Sequence, residues 1–233
     1  MDYRDRHVVI TGGTGALGTA VVAALIESGA SCHIPFIVAA EAERFSFRDH
    51  QKVKLLPVMT LADEAEVARL YDGVPQLWAS IHLAGGFAMA PLRETRKSDL
   101  MQQLEMNFIS AFLCCRAAVN TMTRGRMGGR IVNTAARPAL EWRTGAGMTA
   151  YAASKAAVAA FTAALAEEVA NTGILVNAIA PSIMNTPANR AAMPEADHAA
   201  WPKVEEVAAT IVFLAGPANK VTRGAIVPVY GRS

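Results

Sequence analysis

Short apolar runs alternate along this chain with longer, alanine-rich stretches of helical character. The short runs include HVVI at 7–10, LWASIHLA at 77–84 and ILVNAIA at 174–180, and most of their consecutive residues are apolar. Strands of this kind are buried on both faces, as in a parallel sheet with helices on each side. The chain has neither an internal repeat nor a linker-like break. We therefore expect an α/β fold in a single domain covering residues 1–233.

The alternation predicts the order of the elements. Strands are expected at 7–10, 31–38, 53–58, 77–84, 130–135, 174–180 and 225–230. Helices are expected at 17–28, 63–71, 99–122, 151–171 and 204–214. A polar segment punctuated by prolines follows the sixth strand at 181–202. This order is that of repeated strand–helix–strand units.

Composition and charge exclude several kinds of partner. Apolar residues make up 52% of the chain and charged residues 18%, which argues against disorder. A net charge of +2 without a long basic run gives no electrostatic reason to expect nucleic acid or a membrane surface as partner. No apolar run reaches the ~18 residues of a membrane span, and the charged start MDYRDRHVVI is unlike a secretory signal. Since the cysteines form no disulfide framework and the histidines no metal-ligand spacing, we expect a soluble cytoplasmic protein without a metal.

The stretch TGGTGALG, residues 11–18, directly follows the first strand and opens the first helix. Gly13, Gly15 and Gly18 fit the spacing G-x-G-x-x-G, and Thr11, Gly12 and Gly18 fit a wider T-G-x-x-x-x-x-G spacing. Glycines at such a junction permit a tight turn and let a pyrophosphate approach the unpaired N–H groups of a helix N-terminus. We expect a dinucleotide site formed by Thr11, Gly12, Gly13, Thr14, Gly15, Ala16, Leu17 and Gly18.

The residue that would bind the adenosine ribose is not settled by the sequence. An acidic residue is expected about 20 positions after the glycine turn, yet Phe36 or a neighbour stands there. Glu41 and Glu43 follow slightly later, while Arg44 and Arg48 could hold a 2′-phosphate instead. A solvated loop is an equally good interpretation of 41–48. The cofactor is therefore expected to be NAD or NADP, with the preference open.

The chain resembles the classical short-chain dehydrogenase/reductase family nearly from end to end. Beyond TGGTGALG, the resemblance rests on LAGG at 83–86, MNFISAF at 106–112, GRIVN at 129–133, YAASK at 151–155, VNAIAPSIMNTP at 176–187 and VTRGAIVPVYG at 221–231. It implies a doubly wound Rossmann fold with about seven strands, a nicotinamide cofactor and oxidoreductase activity on a small-molecule substrate. It also implies a homo-oligomer, a dimer or a tetramer, in which the helices at 99–122 and 151–171 pack against a neighbouring subunit.

The resemblance assigns catalysis to three residues. Tyr151 would donate or accept the proton, Lys155 would bind the nicotinamide ribose, and Asn107 would hold a water that connects Lys155 to solvent. Residues four apart share one face of a helix, so Tyr151 and Lys155 can reach the same cleft. A nearby ammonium and a cationic nicotinamide both favour the phenolate, so we expect the pKa of Tyr151 to lie below its usual value of about 10.

Further cofactor contacts are implied by the same resemblance. Ala84 and Gly85 match the segment beside the adenosine ribose, whose usual asparagines are replaced here by His82 and Leu83. Thr186 matches the residue that meets the carboxamide. Outside the glycine turn, the residues expected to contact the cofactor are Ala84, Gly85, Gly86, Tyr151, Lys155, Pro181, Ile183 and Thr186.

One hydroxyl of the family's site is missing. The stretch IVNTAARPAL places Ala136, preceded by another alanine, where the family usually has a serine that polarises the substrate carbonyl. Losing such a donor typically costs about 3 kcal/mol of transition-state stabilisation. The nearby residues that could supply a donor instead are Thr134, Arg137, Thr144 and Thr149.

The missing serine leaves three functions open. The first is hydride transfer to or from a small carbonyl or quinonoid substrate. The second is quinonoid dihydropteridine reductase-like activity, because those enzymes also have alanine at that position, and their segment after the sixth strand resembles NTPANRAAMPEADHAAW at 185–201. The third is a weakly catalytic or non-catalytic dinucleotide-binding sensor or scaffold, which Ala136 favours and the intact Asn107, Tyr151 and Lys155 oppose.

Residues 184–202 are expected to form a lid over the substrate. The segment is polar and follows a strand whose carboxyl end faces the crevice. It would offer Asn189, Arg190, Met193 and His198 to a ligand. The alternative is a surface connector ordered by Trp201.

Overall fold

The computed structural model describes residues 2–233 and contains a parallel sheet of seven strands. The strands are β1 (His7–Thr11), β2 (Ser31–Phe36), β3 (Val53–Pro57), β4 (Leu77–His82), β5 (Gly129–Thr134), β6 (Ile174–Pro181) and β7 (Ile226–Val229). Their order across the sheet is β3-β2-β1-β4-β5-β6-β7, with neighbouring strands parallel. This is the doubly wound Rossmann arrangement that the sequence predicts.

Helices cover both faces of the sheet. Within residues 2–233 they are α1 (Ala16–Glu27), α2 (Ala39–Arg44), α3 (Glu64–Asp72), α4 (Lys97–Leu104), α5 (Ser110–Gly125), α6 (Thr149–Glu168), α7 (Pro187–Ala192) and α8 (Val204–Ala215). α1 packs against α8 on one face, and α3, α5 and α6 pack on the other. Val8 and Ile10 of β1 belong to the first core and Val9 to the second. Both faces of the strands are therefore buried, which explains their consecutive apolar residues.

A crevice is expected at the carboxyl ends of β1 and β4, where the strand order reverses. The chain leaves β1 towards β2 and leaves β4 towards β5, so the two connections diverge. The Leu83 amide donates to the Thr11 carbonyl oxygen at 3.1 Å, and the Ala84 amide donates to the Thr11 hydroxyl at 3.2 Å. These bonds join the glycine turn to the loop after β4.

Three helical features differ from the sequence prediction. α2 and α7 lie in stretches predicted as a loop and a polar connector, and each has only six residues, too few to show a helical period. The helix predicted at 99–122 begins at Lys97 and contains a π-turn, Glu105–Ile109, between α4 and α5. The other element ends differ from the prediction by no more than three residues.

Candidate active site

Two positions of the glycine turn admit only glycine. Gly12 has a φ of +68°, and a Cβ added there would lie 2.7 Å from the Ala84 amide nitrogen. A Cβ added at Gly18 would lie 2.6 Å from Gly13 Cα. Gly12 and Gly18 are the glycines of the wider of the two spacings.

The start of α1 fits the pyrophosphate of a dinucleotide. Gly15 is the N-cap residue, and the helix has neither a side-chain cap nor an acidic residue in its first turn. The Thr19 amide makes the first helical bond, to the Gly15 carbonyl oxygen at 2.8 Å, so the preceding N–H groups have no acceptor within the helix. Gly15 and Ala16 are exposed at this end. Unpaired N–H groups and the positive end of the helix dipole suit an anionic group.

Lys155 lies at the carboxyl edge of the sheet, one turn along α6 from Tyr151. It is only 6% exposed, and its Nζ donates to the Thr134 carbonyl oxygen at 2.9 Å. A Cβ added at Gly85 would lie 3.4 Å from the same Nζ, so the loop after β4 forms the facing wall. Burial lowers the pKa of Lys155 to about 8. An ammonium has three protons, so two beyond the bond to Thr134 can serve a ligand.

Tyr151 is half-buried beside the same loop. Its ring meets that of Phe87 edge to face, with ring centroids 5.0 Å apart. Burial raises the pKa of Tyr151 to about 12. The lower pKa that the sequence predicts includes the charge of a bound nicotinamide and stays a prediction. In the polypeptide by itself the loss of water around the phenol raises the pKa, and this loss depends on tertiary packing.

Asn107 lies in the π-turn and holds the loop after β4 in place. Its Oδ1 accepts from the Gly86 amide at 3.0 Å, and its Nδ2 donates to the Gly86 carbonyl oxygen at 3.0 Å. Ser154 Oγ at 3.1 Å and Gln103 Oε1 at 3.3 Å are further acceptors within reach of Nδ2, so its two protons are shared among three acceptors. A Cβ added at Gly85 would lie 2.5 Å from Asn107 Oδ1, so the approach requires glycine. The water that Asn107 is expected to hold stays a prediction.

A buried chain of hydrogen bonds lies beneath the crevice. His82 Nδ1 is 2.7 Å from Asn133 Oδ1, and Asn133 Nδ2 donates to Thr162 Oγ1 at 2.9 Å. The Thr162 hydroxyl donates to the Val158 carbonyl oxygen at 2.7 Å, so it accepts from Asn133 Nδ2. Asn133 Oδ1 therefore faces His82 and must accept, which places the His82 proton on Nδ1. His82 Nε2 then accepts from Ser80 at 2.7 Å, and burial keeps the ring neutral by lowering the pKa of His82 to about 4. The chain ties β4 and β5 to α6.

Sequence reasoning missed the supporting role of Asn133, Ser154 and Gln103. Asn133 stands in the apolar stretch RIVNTA, and Ser154 stands in an alanine-rich helix. A polar residue in such surroundings must find a partner, which is the signal that would have identified both. The sequence marks His82 only as a departure from the family's asparagine.

The residues after β6 lie at the same edge of the sheet. Pro181 ends β6, Ile183 is exposed, and Thr186 is the N-cap of α7. The Thr186 hydroxyl accepts from the Asn189 amide at 3.2 Å, so its own proton remains able to donate. Contact of these residues with a cofactor stays a prediction.

Segment 184–202 is held by bonds within itself. Asn189 Nδ2 donates to the Met184 carbonyl oxygen at 2.8 Å, and His198 Nε2 lies 2.7 Å from the Met193 carbonyl oxygen. The His198 ring packs on buried Trp201, with ring centroids 4.6 Å apart. Two of the side chains expected to face a ligand therefore have partners in their own segment, and its role as a lid stays a prediction.

The structure separates the four candidates for the missing donor. Arg137 Nε donates to the Glu141 carboxylate at 2.7 Å, and the Thr144 hydroxyl donates to the Glu141 carbonyl oxygen at 2.8 Å. Thr149 is exposed at the first residue of α6. Thr134 ends β5, and its hydroxyl is buried.

One acidic group reaches the glycine turn from α2. The Thr14 hydroxyl donates to the Glu41 carboxylate at 3.2 Å. Arg44 and Arg48 instead donate to groups of their own segment. Of the charged residues at 41–48, Glu41 is thus the one in contact with the turn.

Two kinds of feature are absent from residues 2–233. No helix in this range combines the length and apolar character needed to cross a membrane. In the same range, no three histidine, cysteine, aspartate or glutamate side chains are grouped closely enough to share a metal ion. The three cysteines are buried and unpaired.

Comparison with known proteins gives a consistent family. A profile of the family described as short chain dehydrogenase matches residues 6–197. A galactitol 2-dehydrogenase of Rhizobium johnstonii is 32% identical over 96% of this chain and 93% of its own. The BbsD subunit of a (2S)-[(R)-hydroxy(phenyl)methyl]succinyl-CoA dehydrogenase of Thauera aromatica is 29% identical over 99% of this chain and 97% of its own. A solved short-chain type dehydrogenase/reductase from Mycobacterium ulcerans has a TM-score of 0.89 at 24% identity, over 99% of this chain and 90% of that one.

The profile covers most of the chain, and the two dehydrogenase relatives named above align with it over nearly their whole length. These matches confirm the predicted oxidoreductase activity and the nicotinamide dinucleotide cofactor. Binding of that cofactor by the glycine turn and the start of α1 stays a prediction. The chain belongs to the short-chain dehydrogenase/reductase family.

Proposed function

We propose that this protein is an NAD(P)-dependent oxidoreductase in which Tyr151 exchanges a proton with a small carbonyl substrate. The observation that carries the proposal is the placement of Tyr151 and Lys155 one turn apart on α6, with the lysine facing Gly85. The loop that contains Gly85 is bonded to the glycine turn. Burying an ammonium is costly, and a protein that only binds a dinucleotide has no need to place one a turn away from a phenol.

The cofactor supplies or accepts the hydride when it is bound. The glycine turn and the N-terminus of α1 hold the pyrophosphate, and Lys155 donates to the ribose with the protons that Thr134 does not take. Tyr151 holds the exchangeable proton at its phenolic oxygen. Because burial raises the pKa of Tyr151 to about 12, the neutral phenol is the resting form. A neutral phenol can donate this proton when a carbonyl is reduced, and it must first lose the proton to act as the base when an alcohol is oxidised.

The contact between Glu41 and the glycine turn supports a preference for NAD(H). A carboxylate at this place accepts from ribose hydroxyls and repels a 2′-phosphate. Calorimetry should give a Kd for NADH at least about tenfold below that for NADPH. In Glu41→Gln the two Kd values should lie closer together. Equal affinities in the unaltered protein would contradict this preference.

Quinonoid dihydropteridine reductase-like activity is the second candidate function. The observation that favours it is Ala136, which is buried and presents only a methyl group where the family usually has a hydroxyl. A quinonoid ring is electron-poor and needs less polarisation than a ketone. If this is the natural activity, kcat/KM for a quinonoid dihydropterin should exceed that for simple ketones by about 100-fold, the usual contribution of one such donor.

A cytoplasmic homo-oligomer, a dimer or a tetramer, is a further part of the proposal. Phe108, Phe112 and Phe161, on the π-turn, α5 and α6, have ring centroids 5.3 to 6.2 Å apart, and Phe112 is 38% exposed. An exposed aromatic cluster suits a subunit interface. The unpaired cysteines agree with a reducing compartment. Light scattering after gel filtration should give the mass of a dimer or tetramer for the unaltered protein and a lower mass for Phe112→Glu. A monomeric mass for the unaltered protein would contradict the proposal.

The experiment that tests the proposed function is a binding measurement followed by a turnover screen. Calorimetry with NADH and NADPH comes first, and oxidation of the preferred form is then followed with ketones, aldehydes and a quinonoid dihydropterin. Binding together with turnover of at least one substrate class supports an oxidoreductase. Tight binding without turnover in the whole screen would favour a sensor or scaffold instead.

A further inference from the structure

The hydroxyl of Thr134, at the carboxyl end of β5, is buried and has no hydrogen-bond partner within residues 2–233. Most buried polar atoms in folded proteins have a partner, because leaving one unpaired lowers stability. The hydroxyl can donate one hydrogen bond and accept two. A buried hydroxyl that is left unpaired at a cost in stability is a candidate for a hydrogen bond to a ligand.

The backbone of Thr134 is already part of the candidate active site. Its carbonyl oxygen accepts from Lys155 Nζ at 2.9 Å. Asn133 and Ala135, on either side, face α6, because the first bonds to a hydroxyl of that helix and the second packs against one of its alanines. Side chains alternate along an extended chain, so Thr134 points to the other side. Ala136 is also extended, with a φ of −162° and a ψ of 164°, and therefore shares that side with Thr134.

We infer that the Thr134 hydroxyl donates a hydrogen bond to the reacting oxygen of the substrate. It would act from the side of the strand on which Ala136 offers only a methyl group. Of the three candidate threonines, Thr144 donates to Glu141 and Thr149 is exposed, whereas the Thr134 hydroxyl is buried and has no partner within residues 2–233. The inference rests on the proposed function, because it requires a carbonyl substrate at the tyrosine.

Thr134→Val tests the inference, because valine keeps the branched shape and has a methyl group in place of the hydroxyl. The thermal midpoint should not fall, since the hydroxyl has no partner to lose. The Kd for the preferred cofactor should stay within about twofold, while kcat/KM for the best carbonyl substrate falls about 100-fold. Thr134→Ser should stay within about threefold of the unaltered protein, and Ala136→Ser added to Thr134→Val should recover at least about tenfold. Thr144→Val, at a hydroxyl bonded to Glu141, is the matched control and should leave kcat/KM unchanged.

Three results would each overturn the inference. A lower thermal midpoint in Thr134→Val would show that the hydroxyl supports the fold. A weakened cofactor Kd with an unchanged kcat would place the hydroxyl against the cofactor, and an unchanged kcat/KM would show that no substrate oxygen needs it. The midpoint and the Kd require no turnover, so they are measurable even if the proposed function fails. Retained activity in Tyr151→Phe would overturn that function separately.

Discussion

Replacing Lys155 with methionine should stabilise the fold while it weakens cofactor binding. Lys155 is 6% exposed and donates to the Thr134 carbonyl oxygen. Burial lowers the pKa of Lys155 from 10.5 to about 8, so at neutral pH the fold holds an ammonium that water would solvate better. Methionine has a similar length and no charge to remove from water.

The size of the effect follows from the pKa of Lys155. Each pKa unit corresponds to about 1.4 kcal/mol, so the change from 10.5 to about 8 lowers the stability at pH 7 by about 3 kcal/mol. The folded protein loses this proton before the unfolded chain does, so the penalty is full below pH 8 and disappears as the pH rises to 10.5. Losing the hydrogen bond to the Thr134 carbonyl oxygen reduces the gain in stability by about 1 kcal/mol. Lys155→Met should therefore gain about 2 kcal/mol at pH 7.

Urea unfolding of both proteins at pH 7 and pH 10 measures this gain. The difference in free energy of unfolding should be about 2 kcal/mol at pH 7 and close to zero at pH 10. Calorimetry should show the Kd for NADH rising at least about tenfold in the same variant, because a charged donor to the ribose is lost. A variant less stable than the unaltered protein at pH 7, or a gain that persists at pH 10, would refute the argument from burial.

Two other substitutions test the turn and the buried chain. Gly18→Ala should lower the free energy of unfolding by about 1–3 kcal/mol and weaken NADH binding, because its Cβ would meet the Gly13 backbone at 2.6 Å. Gly125→Ala, with nothing within 4 Å, is its control, and equal melting temperatures for the two variants would contradict the reasoning. Asn133→Ala should cost about 3 kcal/mol in urea unfolding, because it removes the acceptor of His82 Nδ1 and the donor to the Thr162 hydroxyl; a loss below about 1 kcal/mol would show that the chain can rearrange.

The overall topology could be predicted from the sequence because it depends on long, repeated signals. Apolar strands such as ILVNAIA at 174–180 alternate with helices, and right-handed crossovers leave few arrangements for such a series. α2 and α7 could not be predicted in this way, because six residues do not complete two helical turns.

The sequence predicts which residues form the candidate site, but it does not predict their pKa values. Spacing places Tyr151 and Lys155 on one face of a helix, which needs no tertiary information. The rise in the pKa of Tyr151 depends on how closely the neighbouring loops pack, so no pattern in the sequence contains it. The choice between Thr134 and Thr144 likewise depends on a loop contact, the bond from Thr144 to Glu141.

The proposed mechanism requires Tyr151 to give its proton to a substrate beside a bound nicotinamide. Tyr151→Phe removes the phenolic oxygen and keeps the ring that meets Phe87. Measured with the preferred cofactor and the best substrate of the turnover screen, this variant should bind the cofactor with a Kd within about twofold of the unaltered protein. Its kcat should fall at least about 100-fold, as expected for a lost general acid. A kcat within about threefold of the unaltered protein would contradict the claim.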